Sequence, residues 1–92
     1  MKEKLPKEKP YYPADYDTAD IMSVKALFDG KATADQQTRA MKWIVDSLCG
    51  TFDLSYRPDS DRDTAFAEGK RFVGLQLVKA LHMNTEILRR QE

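Results

Sequence analysis

The sequence predicts an all-α fold: a small three-helix bundle with a short C-terminal helical turn and an extended N-terminal arm. Three observations predict it. Apolar residues recur at helical spacing in three separate segments. Capping residues and glycines stand where those segments should begin and end. Phe52, Leu54 and Tyr56 alternate like a short extended segment, but no second strand candidate of comparable quality exists to pair with it. The chain divides into an arm over residues 1–17 and a helical bundle domain over residues 18–92.

The arm reads MKEKLPKEKPYYPADYD. Pro6, Pro10 and Pro13 fix φ and remove donors, which favours extended or polyproline II backbone. Lys2, Lys4, Lys7 and Lys9 outnumber Glu3 and Glu8, so the first ten residues are locally basic. Tyr11, Tyr12 and Tyr16 follow. A solvated tail and a docking arm both fit such a segment. Tails that stay disordered are poor in aromatics, and tyrosine gives large contact area at low entropic cost. The three tyrosines are therefore candidate contacts to a neighbouring subunit or partner.

The first helix is expected over residues 18–29, capped by Asp17 or Thr18, with Asp20 in its first turn and Gly30 at its end. Its apolar stripe is Ile21, Val24, Leu27 and Phe28. The second helix opens on a capping box, Thr33 with Gln36, and Gly50 stands at its end. Met41, Ile44, Val45 and Leu48 form its apolar face, and Trp43 reads as a core residue beside them. The third helix is expected from Asp63 or Thr64 to about Met83, with Phe66, Val73, Leu77, Ala80 and Leu81 buried. Asn84 ends it, and Thr85 caps a terminal turn carrying Ile87 and Leu88.

Composition excludes several classes. Fifteen Lys and Arg are balanced by fifteen Asp and Glu, so broad nucleic-acid coating is disfavoured, although a local patch at Lys70 and Arg71 remains an alternative. One cysteine, Cys49, allows no internal disulfide, and one histidine, His82, allows no Cys/His zinc site. No apolar run is long enough to span a bilayer, and no apolar stretch follows the Lys-rich start as a signal peptide requires. The expectation is a soluble cytoplasmic protein.

Chemical motifs fail on inspection. Asp59, Asp61 and Asp63 suggest a calcium loop, but its sixth and twelfth positions hold Thr64 and Lys70 instead of glycine and glutamate. Ser55 has no Gly-x-Ser-x-Gly frame, and no glycine-rich phosphate loop precedes the third helix. No catalytic residue, metal or cofactor is expected. Glu68 and Arg71 form an i,i+3 pair.

Gly69 and Gly74 inside the third helix each cost about 1 kcal/mol relative to alanine. Close approach explains such a cost. Gly69, one turn from Phe66 and Val73, is expected to admit an internal neighbour such as Trp43, Phe52 or Tyr56; Gly74 is expected to admit a partner. On that reading Gly69→Ala should lower stability.

The string CGTFDLSYRPDSDRDTAFAEGKRFVGLQLV resembles the Bbp-type small phage domain family, Bordetella-phage-like proteins of tailed phages with no assigned function. The residues that carry the resemblance are Gly50, Phe52, Ser55 and Tyr56, then Thr64, Ala65, Phe66, Glu68, Gly69, Lys70, Arg71, Val73, Gly74 and Leu75. Trp43 stands where the family tends to place an aromatic. The likeness covers roughly residues 18–88 and leaves the arm outside. Lys70 replaces the first arginine of the family's pair, and the connection between the first two helices is longer than the family's. The resemblance implies a phage origin and a non-enzymatic role; together with the small core, the Tyr/Pro arm and the lack of a site for chemistry, the expectation is a virion structural or assembly protein, made in the host cytoplasm and then carried in the virion. It would dock on a larger head, portal or tail protein or on copies of itself, with no membrane contact. A nucleic-acid-associated packaging or regulatory factor is the alternative.

Overall fold

The computed structural model describes residues 9–91. Lys2, Lys4, Lys7 and Pro6, and with them the basic first half of the arm, lie outside the described residues. The fold is all-α. Helix α1 spans Thr18–Phe28, α2 spans Ala34–Trp43, a π-helical turn over Ile44–Leu48 continues α2, α3 spans Asp61–Leu81, and α4 spans Thr85–Gln91. No strand occurs among the described residues; Phe52, Leu54 and Tyr56 lie in a loop.

Local chemistry sets the boundaries. At the start of α1 the Asp17 amide donates to Asp20 Oδ2 at 2.9 Å. Arg39 Nε donates to Asp20 Oδ1 at 2.8 Å, which ties the cap of α1 to α2. The Asp17 amide holds the Asp20 carboxyl below its ordinary pKa; burial opposes this, and Arg39 reinforces it. Helix α1 ends in a Schellman motif: Gly30 takes φ 71°, the Lys31 amide donates to Ala26 O at 2.9 Å, and the Gly30 amide donates to Leu27 O at 3.1 Å. The expected capping box opens α2, with the Gln36 amide donating to Thr33 Oγ1 at 3.1 Å and the Thr33 amide to Gln36 Oε1 at 3.0 Å. Ser60, not Asp63 or Thr64, caps α3, its Oγ accepting from the Asp63 amide at 3.1 Å. Asn84 turns out to cap α4, accepting the Glu86 amide at 2.9 Å.

The π-helical turn was not legible in the pattern. Cys49 N donates to Ile44 O at 2.9 Å, five residues back. Val45 O then accepts from the Thr51 amide at 3.2 Å and from Thr51 Oγ1 at 2.7 Å. Widening the helix by one residue redirects Cys49 and Thr51 toward α3.

Helix α1 packs along α2, and α3 packs against the π-helical turn; among the described residues α4 makes no close backbone approach to the other helices. The centre is built from small groups. Ala40, Val45, Cys49 and Ala67 are the buried apolar residues, Ser23 and Thr51 are buried beside them, and Thr51 is the largest side chain that is fully enclosed. Ser23 returns its hydroxyl to Ala19 O at 2.7 Å, so its burial leaves no orphan donor.

This corrects the expected stripes. Leu27, Phe28 and Leu48 are exposed, Phe28 at 91%. On α3 the buried residues are Ala67 and Gly74, whereas Phe66, Val73 and Leu81 are at least half exposed and Ala80 is exposed. Trp43 is half-buried at the edge of the core. The α3 helix has two apolar sides, and the smaller one faces inward because α3 approaches the π-helical turn closely.

Candidate functional site

The loop between the π-helical turn and α3 has an inside-out pattern. Gly50, at φ 58°, reverses the chain, and the Asp53 amide closes the turn on Gly50 O at 3.2 Å. From there exposure alternates. Phe52, Leu54 and Tyr56 point outward at 71%, 62% and 60% exposure, while Asp53, Ser55 and Arg57 are half-buried.

Arg57 holds this arrangement. Its Nη1 donates to three successive carbonyls, Leu54 O at 2.8 Å, Ser55 O at 3.0 Å and Tyr56 O at 3.3 Å. Its own amide donates to Thr64 Oγ1 at 2.8 Å, which fastens the loop to the first turn of α3. Arg57 Nε is buried and has no hydrogen-bond partner among the described residues. A pocket of about 50 Å³ lies under the loop, between Arg57, Asp53, Cys49, Lys70 and Pro10.

Beyond Phe52 the surface continues into an apolar groove of about 570 Å³, lined by Met41, Val45, Phe52, Val78, Leu81 and His82 among others. Of the outward row, Phe52 lines this groove. Arg57 and Thr51 were not singled out from the sequence. The alternation from Phe52 to Tyr56 was visible there, but alternation alone does not say which side faces the core.

The described part of the arm is strapped to its own bundle. Lys9 pairs with Asp63 at 3.4 Å, Pro10 is buried, and Lys70 Nζ donates to Pro10 O at 2.8 Å. The Tyr11 ring meets the Phe66 ring edge-on, centroids 6.2 Å apart. Trp43 Nε1 donates to Asp15 O at 2.9 Å. Tyr11, Tyr12 and Tyr16 keep 55%, 49% and 65% of their surface exposed, so the backbone is engaged and the rings are presented. Sequence reasoning named Trp43, Phe66 and Lys70 separately; the arm brings all three into one connected set of contacts.

No family model, curated protein or solved structure matches the chain.

The internal close approach expected at Gly69 is found at Gly74 instead. A Cβ built on Gly74 would overlap Thr51 Oγ1 and stand 2.9 Å from Thr51 Cβ and 3.0 Å from Cys49 Cβ. Gly74 therefore admits an internal neighbour, and that neighbour is Thr51 rather than Trp43, Phe52 or Tyr56. A Cβ on Gly69 would meet nothing within 4 Å among the described residues. The basic patch is also reduced, since Lys70 binds the arm and Arg71 Nη1 lies 3.5 Å from Glu68 Oε1 as the expected i,i+3 pair.

Proposed function

We propose that this protein is a small non-enzymatic structural or assembly protein of a tailed phage, made in the host cytoplasm and built into the virion. It docks on a larger head, portal or tail component through the Phe52, Leu54 and Tyr56 row and the groove beside it. The observation that carries the reading is the inside-out loop, in which Arg57 fastens three carbonyls while three large apolar side chains face outward. The phage assignment rests on the sequence resemblance across residues 49–78.

The row exposes roughly 350 Å² of apolar surface, a gross gain on burial of about 9 kcal/mol. Association costs about 4–15 kcal/mol in lost freedom, so the row must act together with the groove. A nucleic-acid role through Lys70 and Arg71 is the weaker reading, because both cations have intramolecular partners.

Mass spectrometry of nuclease-treated virions from cells carrying the gene tests the proposal. The protein is expected at stoichiometric copy, and replacing Phe52, Leu54 and Tyr56 with serine should remove it from particles while leaving the isolated protein folded. Its absence from wild-type particles and assembly intermediates refutes the reading. DNA binding that falls steeply with salt would favour the alternative.

A further inference from the structure

We infer that the outer face of α3 is a self-association surface on which two copies pair antiparallel about a two-fold axis, each Phe72 seated over Gly69 of the other copy. This goes beyond the docking proposal: it concerns another copy of the chain and a different face, and does not rest on the virion reading.

At 100° per residue, Ala67, Lys70, Gly74 and Leu77 share the side of α3 that meets the arm and the π-helical turn. Ala65, Gly69, Phe72 and Gln76 lie on the opposite side, flanked by Phe66, Val73 and Ala80, and every one of these is exposed. Phe66, Phe72 and Val73 retain 50%, 61% and 53% of their surface. The steps from 65 to 69 to 72 to 76 are four, three and four residues, the spacing of a helix–helix seam. Gln76 is the polar residue in this stripe.

The occupant follows from the symmetry of the face. Gly69 is an open notch, with nothing among the described residues within 4 Å of its missing Cβ, and Phe72, 61% exposed, stands three residues away. They straddle the midpoint of a helix that runs Asp61–Leu81. Antiparallel pairing therefore sets 69 against 72 and 65 against 76 along the whole length, one patch serving both copies as a two-fold contact requires.

Charge selects the same direction. Asp61 lies in the first turn and Lys79 in the last, and both fall on one edge of the stripe. A two-fold axis brings like edges together, so Asp61 faces Lys79 of the other copy, while Arg62 on the far edge faces Ala80. Opposed helix dipoles add to this preference. The face offers roughly 600 Å² per copy, about 1,200 Å² in the pair, at the lower bound of specific interfaces. Tyr11, edge-on to Phe66, widens it.

Sedimentation equilibrium on the purified full chain from about 1 to 200 µM tests the pairing, the range that covers weak, transient contacts such as those at the low end of interface size. The wild type is expected to dimerise. Gly69→Leu fills the notch in open space and improves helix propensity, so it should keep or raise helicity while weakening the dimer at least about tenfold. Phe72→Ser should weaken it comparably, and Phe28→Ser, at a 91% exposed site on α1, should not. A wild type that stays monomeric across the range overturns the inference, as does any oligomer that survives Gly69→Leu. These outcomes are independent of the virion assay: a dimer absent from particles refutes the virion reading alone, and a monomer present in particles refutes the pairing alone.

Discussion

Replacing Gly74 with alanine tests how α3 is seated. Alanine is the better helix former by about 1 kcal/mol, so on propensity alone the variant gains stability. The added Cβ would overlap Thr51 Oγ1, however, and lie 2.9 Å from Thr51 Cβ and 3.0 Å from Cys49 Cβ. Thr51 cannot rotate away without cost, because it is fully buried and its hydroxyl donates to Val45 O at 2.7 Å. Losing that bond costs about 1–3 kcal/mol, and overpacking adds about 1–3 kcal/mol. Subtracting the propensity gain of about 1 kcal/mol leaves a net loss of about 1–5 kcal/mol, with a central value of about 3 kcal/mol. For a chain of this size each kcal/mol moves Tm by about 4–8 °C, so thermal denaturation followed by circular dichroism should show a fall of about 10–25 °C. In a Thr51→Ala background the oxygen overlap is gone and only the two carbon contacts remain. Gly74→Ala should then cost at least about 1 kcal/mol less, a coupling measurable by a double-mutant cycle. An unchanged or raised Tm in the wild-type background would refute the proposed seat.

Gly69→Ala, by contrast, should stabilise the dilute monomer by about 1 kcal/mol in the same assay, since its Cβ enters open space; a drop in Tm would mean that something does pack there. Lys70→Met removes the donor to Pro10 O, so limited proteolysis should cut near residues 10–16 faster than in the wild type, with the helical circular dichroism unchanged. Equal cleavage rates would show that the strap holds without Lys70. Asp20 has a lowered folded-state pKa, so its contribution to stability is full above the unfolded-state value and is lost as pH falls through the folded-state value. Asp20→Asn should therefore flatten the acid limb of a stability-against-pH curve, and parallel wild-type and variant curves below pH 5 would argue against that linkage.

Helix existence was legible because each helix carries its own local signals. The Thr33–Gln36 box and the glycines at positions 30 and 50 specify their ends by short-range hydrogen bonding and φ > 0, which need no tertiary information. Inward faces were not legible on α3. Phe66, Val73 and Leu81 form as good a stripe as any, yet the inward side is Ala67 and Gly74, chosen by the close approach of Thr51 and Cys49. That approach depends on the π-helical turn, which shifts the register by one residue and leaves no mark in hydropathy. The glycines were recognised as sites of close approach, but which of them was internal could be settled only by the position of Thr51. Phe52 and Tyr56 were singled out from the sequence as packing residues, whereas Arg57, which orients them, looks like any loop arginine until its three carbonyl partners are located.

The inside-out loop inverts the usual map of mutational tolerance. In most proteins selection for folding guards the apolar positions and lets the polar ones drift. Between Phe52 and Arg57 the half-buried positions are polar, Asp53, Ser55 and Arg57, with Arg57 making the side-chain hydrogen bonds that hold the loop, while Phe52, Leu54 and Tyr56 face outward. Purifying selection on those three apolar positions would then report on the partner alone, which makes this short segment a place where the pressure to fold and the pressure to bind can be read separately along one chain.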